Sequence, residues 1–315
     1  MKPCTLKWVV NLFSFSTTMN WRYEHLLIES VRMLLQSKLR GAYRVTKVLA
    51  SVFKSLQAVP CATPYGETIY IDLRVTSSYR IFAEVMWEED EQKQVQRLVK
   101  AGDIVFDIGA HLGVYTVLLS HLVGPTGRVI AFEPNLRVLP ALERTVKERK
   151  NVTLLPIALS SFSGEQVLYV PGDDSMASLA DWTAGKHGEI TRSVCETFTL
   201  DELARQGKIP EPDFIKCDVE GAELLVFQGG KEVLDRDNGP ILLFEANANA
   251  MRGFNVTAEA LLGFIRGLRR ARYTTYLVES ELEEVRGDRL PEHCNLIAIP
   301  EAKMDRLERR NQRIG

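Results

Sequence analysis

The sequence has little of what would place it in a specialised class. Its 315 residues include five cysteines, Cys4, Cys61, Cys195, Cys217 and Cys294. Odd in number, widely spaced and without a C-x-x-C, they argue against a disulfide framework or zinc site and for a reducing, cytoplasmic compartment. No apolar run approaches the roughly 20 residues that a membrane-spanning helix needs. The short patch Trp8-Val9-Val10-Asn11-Leu12-Phe13 follows Lys2 and Lys7 and lacks a small-residue cleavage site. It reads as the start of an amphipathic helix rather than a signal peptide. Neither charge sign dominates: 39 Lys and Arg face 41 Asp and Glu, a net charge of −2, with no overall pull toward nucleic acid. Internal repeats and low-complexity tracts are absent too. The remainder, 45% hydrophobic and 25% charged, is the composition of a globular chain able to bury a sizeable core. Its length exceeds one ordinary domain without requiring two.

What is present centres on Ile104-Val105-Phe106-Asp107-Ile108-Gly109-Ala110-His111-Leu112-Gly113-Val114-Tyr115-Thr116. An uncharged apolar run opens it, as in a strand buried on both faces. An acid and two glycines follow, then a helical stretch to Leu122. Glycines between strand and helix let backbone N–H groups approach a ligand, and a helix N-terminus favours negative charge. A second strand, Arg128–Phe132, ends in Glu133, placed to accept hydrogen bonds from ribose hydroxyls. This is half of a doubly wound α/β sheet built to hold a nucleoside. The spacing is D-x-G-x-x-x-G, because Ala110-His111 interrupts the G-x-G-x-x-G of dinucleotide folds. Such a loop leaves Asp107 to face an ammonium and suits a cofactor carrying an amino acid rather than a pyrophosphate.

The stretch resembles motif I of class I S-adenosylmethionine (SAM) methyltransferases. Ala131-Phe132-Glu133-Pro134 and Asp213-Phe214-Ile215-Lys216-Cys217-Asp218-Val219-Glu220-Gly221-Ala222-Glu223 are similar to the FkbM-type family among them. The resemblance spans roughly residues 84–280, and D-V-E-G-A-E is its most specific part. It implies a Rossmann-like, seven-stranded sheet with the last strand inserted antiparallel. It also implies SAM as cofactor and O-methylation of a sugar, glycolipid or secondary metabolite.

Along the chain, residues 21–58 read as helical, with Leu26, Leu27, Val31, Leu34 and Leu35 at helical spacing. Residues 1–60 carry nine Lys and Arg against two Glu. A helical lid or oligomer arm with a solvated basic face is the preferred reading; the alternative is peripheral contact with an anionic membrane. No candidate site residue lies in 1–58, so that segment is expected to be dispensable for cofactor binding. A β-hairpin before residue 83 completes the extension, and a helix opens at Trp87-Glu88-Glu89. The methyltransferase domain is expected over 84–300, with a charged, frayed tail over 301–315. Further strands are read at Val152–Leu155, Gln166–Val170, Phe214–Cys217 and Ile241–Phe244, with a closing hairpin from Arg272–Val278 and Asn295–Ile299.

Ligands in such sheets sit outside the carboxyl ends of the strands. Asp107, Glu133, Asp218 and Glu245 all fall there, and four acids at one rim are costly as mere core filling. The cofactor-binding set is Asp107, Gly109, Ala110, His111, Gly113, Tyr115, Glu133, Pro134, Ala158 and Asp218. Asp218 is the first candidate to take the acceptor's proton, followed by Glu220 and Glu245. Glu223 is read equally as a further candidate base and as a cap for the helix that follows Gly221. Ser178, in the polar turn-rich loop 172–179, is assigned to the substrate side. A Mg²⁺ at Asp218, Glu245 and Asn247 is weighed, and no metal is assigned. Two other functions stand beside the methyltransferase: a catalytically silent scaffold on the same fold, and a nicotinamide oxidoreductase, which the missing middle glycine disfavours.

Overall fold

A computed structural model describes residues 18–37, 39–63, 65–83 and 89–308. The patch at 8–13, the helix opening at Trp87 and the last residues of the tail lie outside them. The N-terminal extension is a helix pair, α1 (Thr18–Gln36) and α2 (Ala42–Val52), then a hairpin of β1 (Val59–Ala62) and β2 (Thr68–Ile71), then α3 (Ser78–Phe82). Gly41, with φ +93°, breaks the expected single helical stretch in two.

The main body alternates as expected of a doubly wound fold. After α4 (Glu89–Leu98) come β3 (Ile104–Ile108), α5 (Val114–Val123), β4 (Arg128–Phe132), α6 (Leu139–Val146) and β5 (Val152–Leu155). A second group, β6 (Ala158–Leu159), β7 (Gly164–Val170) and β8 (Thr191–Phe198), forms its own sheet of order β6-β8-β7. The chain then re-enters the main sheet through α7 (Leu200–Arg205), β9 (Phe214–Cys217), α8 (Glu223–Gln228), α9 (Lys231–Leu234) and β10 (Ile241–Asn247). It ends with α10 (Ala248–Arg252), α11 (Ala258–Arg266), β11 (Tyr273–Val278), β12 (Leu282–Glu284), β13 (His293–Pro300) and α12 (Asp305–Glu308).

The main sheet has the order β12-β11-β13-β10-β9-β3-β4-β5. β3 pairs parallel with both β4 and β9, whereas β13 lies antiparallel between β10 and β11. Seven strands follow the expected topology; the eighth, β12, is a three-residue edge strand in the charged connection between β11 and β13. The switch point lies between β3 and β9, where successive connections leave in opposite directions, and a crevice opens there at the strand ends. β3, β9 and most of β10 are buried on both faces, as their mainly apolar sequences require; Asp107 in β3 and Lys216 in β9 are the charged exceptions in those two strands. β8 was not among the expected strands: its alternation of exposed and buried residues places only one face on a small core.

α5 is buried nearly all round, from Tyr115 through Ser120 and again at Val123. The sheet covers one side and the N-terminal extension the other. Val31, Leu35, Ala42, Ala50 and Leu56 belong to one apolar cluster with Leu112 and Val117 around the glycine loop and Val138 and Ala141 beside α6. The extension is thus part of the core, so its removal is expected to cost stability even though none of the expected cofactor-binding residues lies in it. Each fully buried valine or leucine of this set contributes about 1.5–3 kcal/mol. A chain starting near Val59 is therefore expected to aggregate or to melt well below the full chain in thermal unfolding; an unchanged melting curve would refute this packing.

The start of the tail is not frayed. Arg306 donates to the Asp103 carboxylate at 2.6 and 3.1 Å and to the Leu98 carbonyl at 2.8 Å. Lys303 Nζ donates to Asp213 at 3.1 Å. These ion pairs dock residues 301–308 against the strand-entry side of the sheet, opposite the crevice.

Candidate functional site

The crevice is a cavity of about 530 Å³. Gly109, Ala110, His111 and Tyr115 line it from the glycine loop and α5, with Glu133, Pro134 and Ala158 farther along the rim. Asp218, Glu220 and Glu245 line it at the ends of β9 and β10. Two residues expected to bind the cofactor do not line it. Gly113 is the left-handed turn before α5, packed on Leu142. Asp107 is fully buried behind the wall: its Oδ2 accepts from the Thr116 hydroxyl at 2.5 Å, while Oδ1 has no partner. Asp107 therefore cannot present a carboxylate directly to an ammonium in the cavity. As an inward residue of a central strand it braces the start of α5 instead, and burial raises its pKa.

The glycine loop requires the backbone that its sequence allows. Gly109 has φ +81°, and a Cβ there would stand 1.9 Å from the Asp218 carbonyl oxygen. The loop consequently lies against the end of β9, with no room for a side chain between them. His111 also adopts a left-handed conformation, at φ +51°. Its N–H donates to Glu133 Oε2 at 2.7 Å, and Asn135 N–H donates to Oε1 at 2.8 Å. These two bonds fix the Glu133 carboxylate at the cavity wall, and burial raises its pKa. Asn135 Nδ2, buried in the same wall, has no partner.

The D-V-E-G-A-E turn supplies the acidic end. Glu220 at φ +56° precedes Gly221 at φ +97°, a tight reversal in which a Cβ on Gly221 would strike the Ala250 backbone at 2.4 Å. Holding a glutamate in the left-handed region is strained, and such strain concentrates at functional sites. Glu223 secures the turn: its Oε1 accepts from Val219 N at 3.0 Å and Gly221 N at 3.3 Å. Among its two expected roles, the structure places it as a brace for this turn. Burial raises its pKa to about 8. The Ser178 hydroxyl donates to the Glu220 carbonyl at 2.8 Å, clipping loop 172–179 over the cavity.

Carboxylate oxygens of Asp218, Glu220 and Glu245 lie within 4.8 Å of one another. Proximity of like charges adds to burial in raising Glu220 well above the usual range. Glu245 rises to about 7, through burial and the neighbouring Asp218, with His293 and Lys216 opposing. Two basic residues that the sequence did not single out stand here. Lys216 Nζ donates to Asp218 Oδ2 at 3.0 Å and lies 5.0 Å from the centre of the Tyr115 ring. His293 Nε2 bonds Glu245 Oε1. A lysine inside the apolar run of β9 was a visible signal; His293, 48 residues from Glu245, gave none. The three carboxylates have the chemistry to hold a divalent cation. Asn247, weighed with them, uses its side-chain oxygen to cap α10, accepting from Asn249 N and Ala250 N.

A second cluster closes the cavity's other side. Ser77 Oγ donates to Asp174 Oδ2 at 2.8 Å and sits 3.0 Å from His111 Nε2, itself 3.3 Å from Asp174. Burial disfavours the His111 imidazolium, yet Asp174, helped by Glu133, holds its pKa above the usual histidine value. This ties the extension, the glycine loop and loop 172–179 together.

The family description "Methyltransferase FkbM domain" matches residues 107–274, more than half of the chain. The chain belongs to the FkbM methyltransferase family. The match runs from Asp107 through the D-V-E-G-A-E turn and beyond β10, and so takes in the three carboxylates of the cavity's acidic end but not His293 on β13. A protein of similar sequence is the hexuronic acid methyltransferase AglP of Haloferax volcanii, 28% identical over 177 residues, 56% of this chain and 70% of that protein. Among solved structures, a SAM-dependent O-methyltransferase from Thermotoga maritima aligns at 16% identity over 79% of this chain and 80% of its own, with a TM-score of 0.40. A SAM-dependent methyltransferase from Aquifex aeolicus aligns at 17% identity over 67% and 88%, with a TM-score of 0.37.

Proposed function

We propose that this FkbM-family protein is a SAM-dependent O-methyltransferase whose acceptor is a hydroxyl of a sugar. The observation that carries this is the convergence of Asp218, Glu220 and Glu245 beside a glycine loop at the switch point. A hydroxyl must lose a proton to become a methyl acceptor, and a carboxylate at its oxygen supplies the place for it. The kinship with a hexuronic acid methyltransferase supports a sugar.

The wall fits the proposed cofactor. Glu133 retains lone pairs for ribose hydroxyls after its two backbone bonds, and the partnerless Asn135 amide beside it is a donor. Ala110 and Ala158 border this part of the cavity without filling it. When bound, SAM would supply an electrophilic methyl group, which passes to the acceptor oxygen as the C–S bond breaks and S-adenosylhomocysteine leaves as a neutral thioether. The residues then divide the work. Glu133, Asn135 and the loop 109–111 hold the nucleoside. Glu245, near neutral in pKa and aligned by His293, takes the acceptor's proton. Asp218, held by Lys216, orients the hydroxyl. Loop 172–179, clipped by Ser178, excludes water.

Calorimetry tests the cofactor. SAM and S-adenosylhomocysteine are expected to bind and NADH is not. Hydrogen bonds to a charged group contribute about 1.5–3 kcal/mol. Glu133→Ala should therefore weaken SAM by roughly ten- to hundredfold, at ~1.4 kcal/mol per factor of ten. Tight NADH binding with none for SAM would revive the oxidoreductase.

A further inference from the structure

The outward face of α1 and α2 is unlike the rest of the surface. Of thirteen large apolar side chains that stand exposed among the described residues, nine lie between Tyr23 and Phe53. On α2, Val45, Val48 and Val52 recur at three and four residues and form one stripe; Val48 and Val52 are 65% and 68% exposed. On α1, Tyr23, Leu26 and Met33 point away from Val31 and Leu35, which enter the core. Leu39, in the turn between the helices, is exposed as well. Soluble monomers seldom leave so many apolar groups together, and such patches mark interaction surfaces.

Charge selects the occupant. Arg40, Arg44, Lys47 and Lys54 are exposed among these apolar residues. No acidic residue occurs from Ser30 through Gly66. A two-fold interface between copies would press this basic face against itself, which like charges oppose. Apolar side chains interleaved with Lys and Arg on a helix match a bilayer surface, where the chains enter the acyl boundary and the cations meet anionic headgroups. In sequence, residues 1–17 continue the pattern, with Lys2, Lys7, Trp8, Val9, Val10, Leu12 and Phe13 and no acid. None of the described helices is long and apolar enough to cross a membrane.

We infer that the exposed face of α1–α2 docks the protein on an anionic lipid surface. The face lies outside the cavity, so the inference stands apart from the assignment of cofactor and acceptor.

The test is flotation of the full chain with phosphatidylcholine vesicles, with and without phosphatidylglycerol. Binding is expected only with the anionic lipid and should fall as salt is raised. Val48→Glu/Val52→Glu, at solvent-facing positions, should reduce the bound fraction at least about tenfold. Arg44→Glu/Lys47→Glu should abolish the preference for phosphatidylglycerol. SAM affinity and circular dichroism, unchanged in both variants, would show that the fold and site are intact. The inference is overturned by absence of binding to anionic vesicles, or by equal binding of the Val48→Glu/Val52→Glu variant. A wild-type dimer in light scattering that this variant converts to monomer, without vesicle binding, would assign the face to a second copy instead.

Discussion

Glu245→Gln is expected to lower methyl transfer by about 10²–10⁴, the scale of a general base, while leaving SAM affinity near that of the wild type. The pH profile identifies the group. Only the ionised carboxylate accepts a proton, so wild-type activity should rise with pH through about 7, where burial and Asp218 hold Glu245. That limb should vanish in Glu245→Gln. Asp218→Asn removes one of the negative charges that raise Glu245, so in that variant the limb should move to lower pH. Stability carries an independent sign. The Glu245 pKa is raised on folding, so its contribution is fully present below about 4.5 and is lost as pH rises through about 7. Glu245→Gln should therefore be no less stable than the wild type in alkaline solution. The rates need an acceptor, found by screening glycosides with labelled SAM. Should Glu245→Gln keep full turnover and Asp218→Asn lose it, the proton acceptor is Asp218.

Gly109→Ala is expected to abolish SAM binding. Two costs act together: a left-handed conformation that disfavours L side chains by roughly 1–2 kcal/mol, and a methyl group 1.9 Å from the Asp218 carbonyl. The obstacle is backbone in a central strand end, which cannot turn aside as a side chain could. Relief requires the loop to separate from β9, and that moves both the Glu133 clasp and the acidic cluster. Calorimetry should show at least a hundredfold loss, and thermal unfolding a lower midpoint. Gly263→Ala, where a Cβ meets open space on α11, should change neither. Retention of wild-type SAM affinity in Gly109→Ala would mean that the loop does not approach β9 this closely.

Much of this protein was legible along the chain because the physics involved is local. Buried parallel strands must be largely apolar on both faces, so β3, β4, β9 and β10 stand out as apolar runs with an acid at or near the end of each. Glycine spacing announces a backbone that no other residue adopts readily, and the resemblance carried by D-V-E-G-A-E identified the family. The convergence of Asp218, Glu220 and Glu245 required only that two neighbouring parallel strands end at the same rim. Tertiary structure decided the rest, through contacts between distant residues. Asp107 was expected to face a ligand, but a residue inside a central strand points where the pleat sends it, and here that is toward Thr116. His293 meets Glu245 only because β13 runs antiparallel beside β10, a register that no local pattern encodes. Ser77, His111 and Asp174 form one cluster from three separate segments. The amphipathic helices of the extension showed their apolar residues in sequence, but not which of them would be buried. Packing against Leu112 and Val117 took Val31, Leu35, Ala42 and Ala50 inward and left Val45, Val48 and Val52 outside, because a helix against a convex body can bury only one stripe.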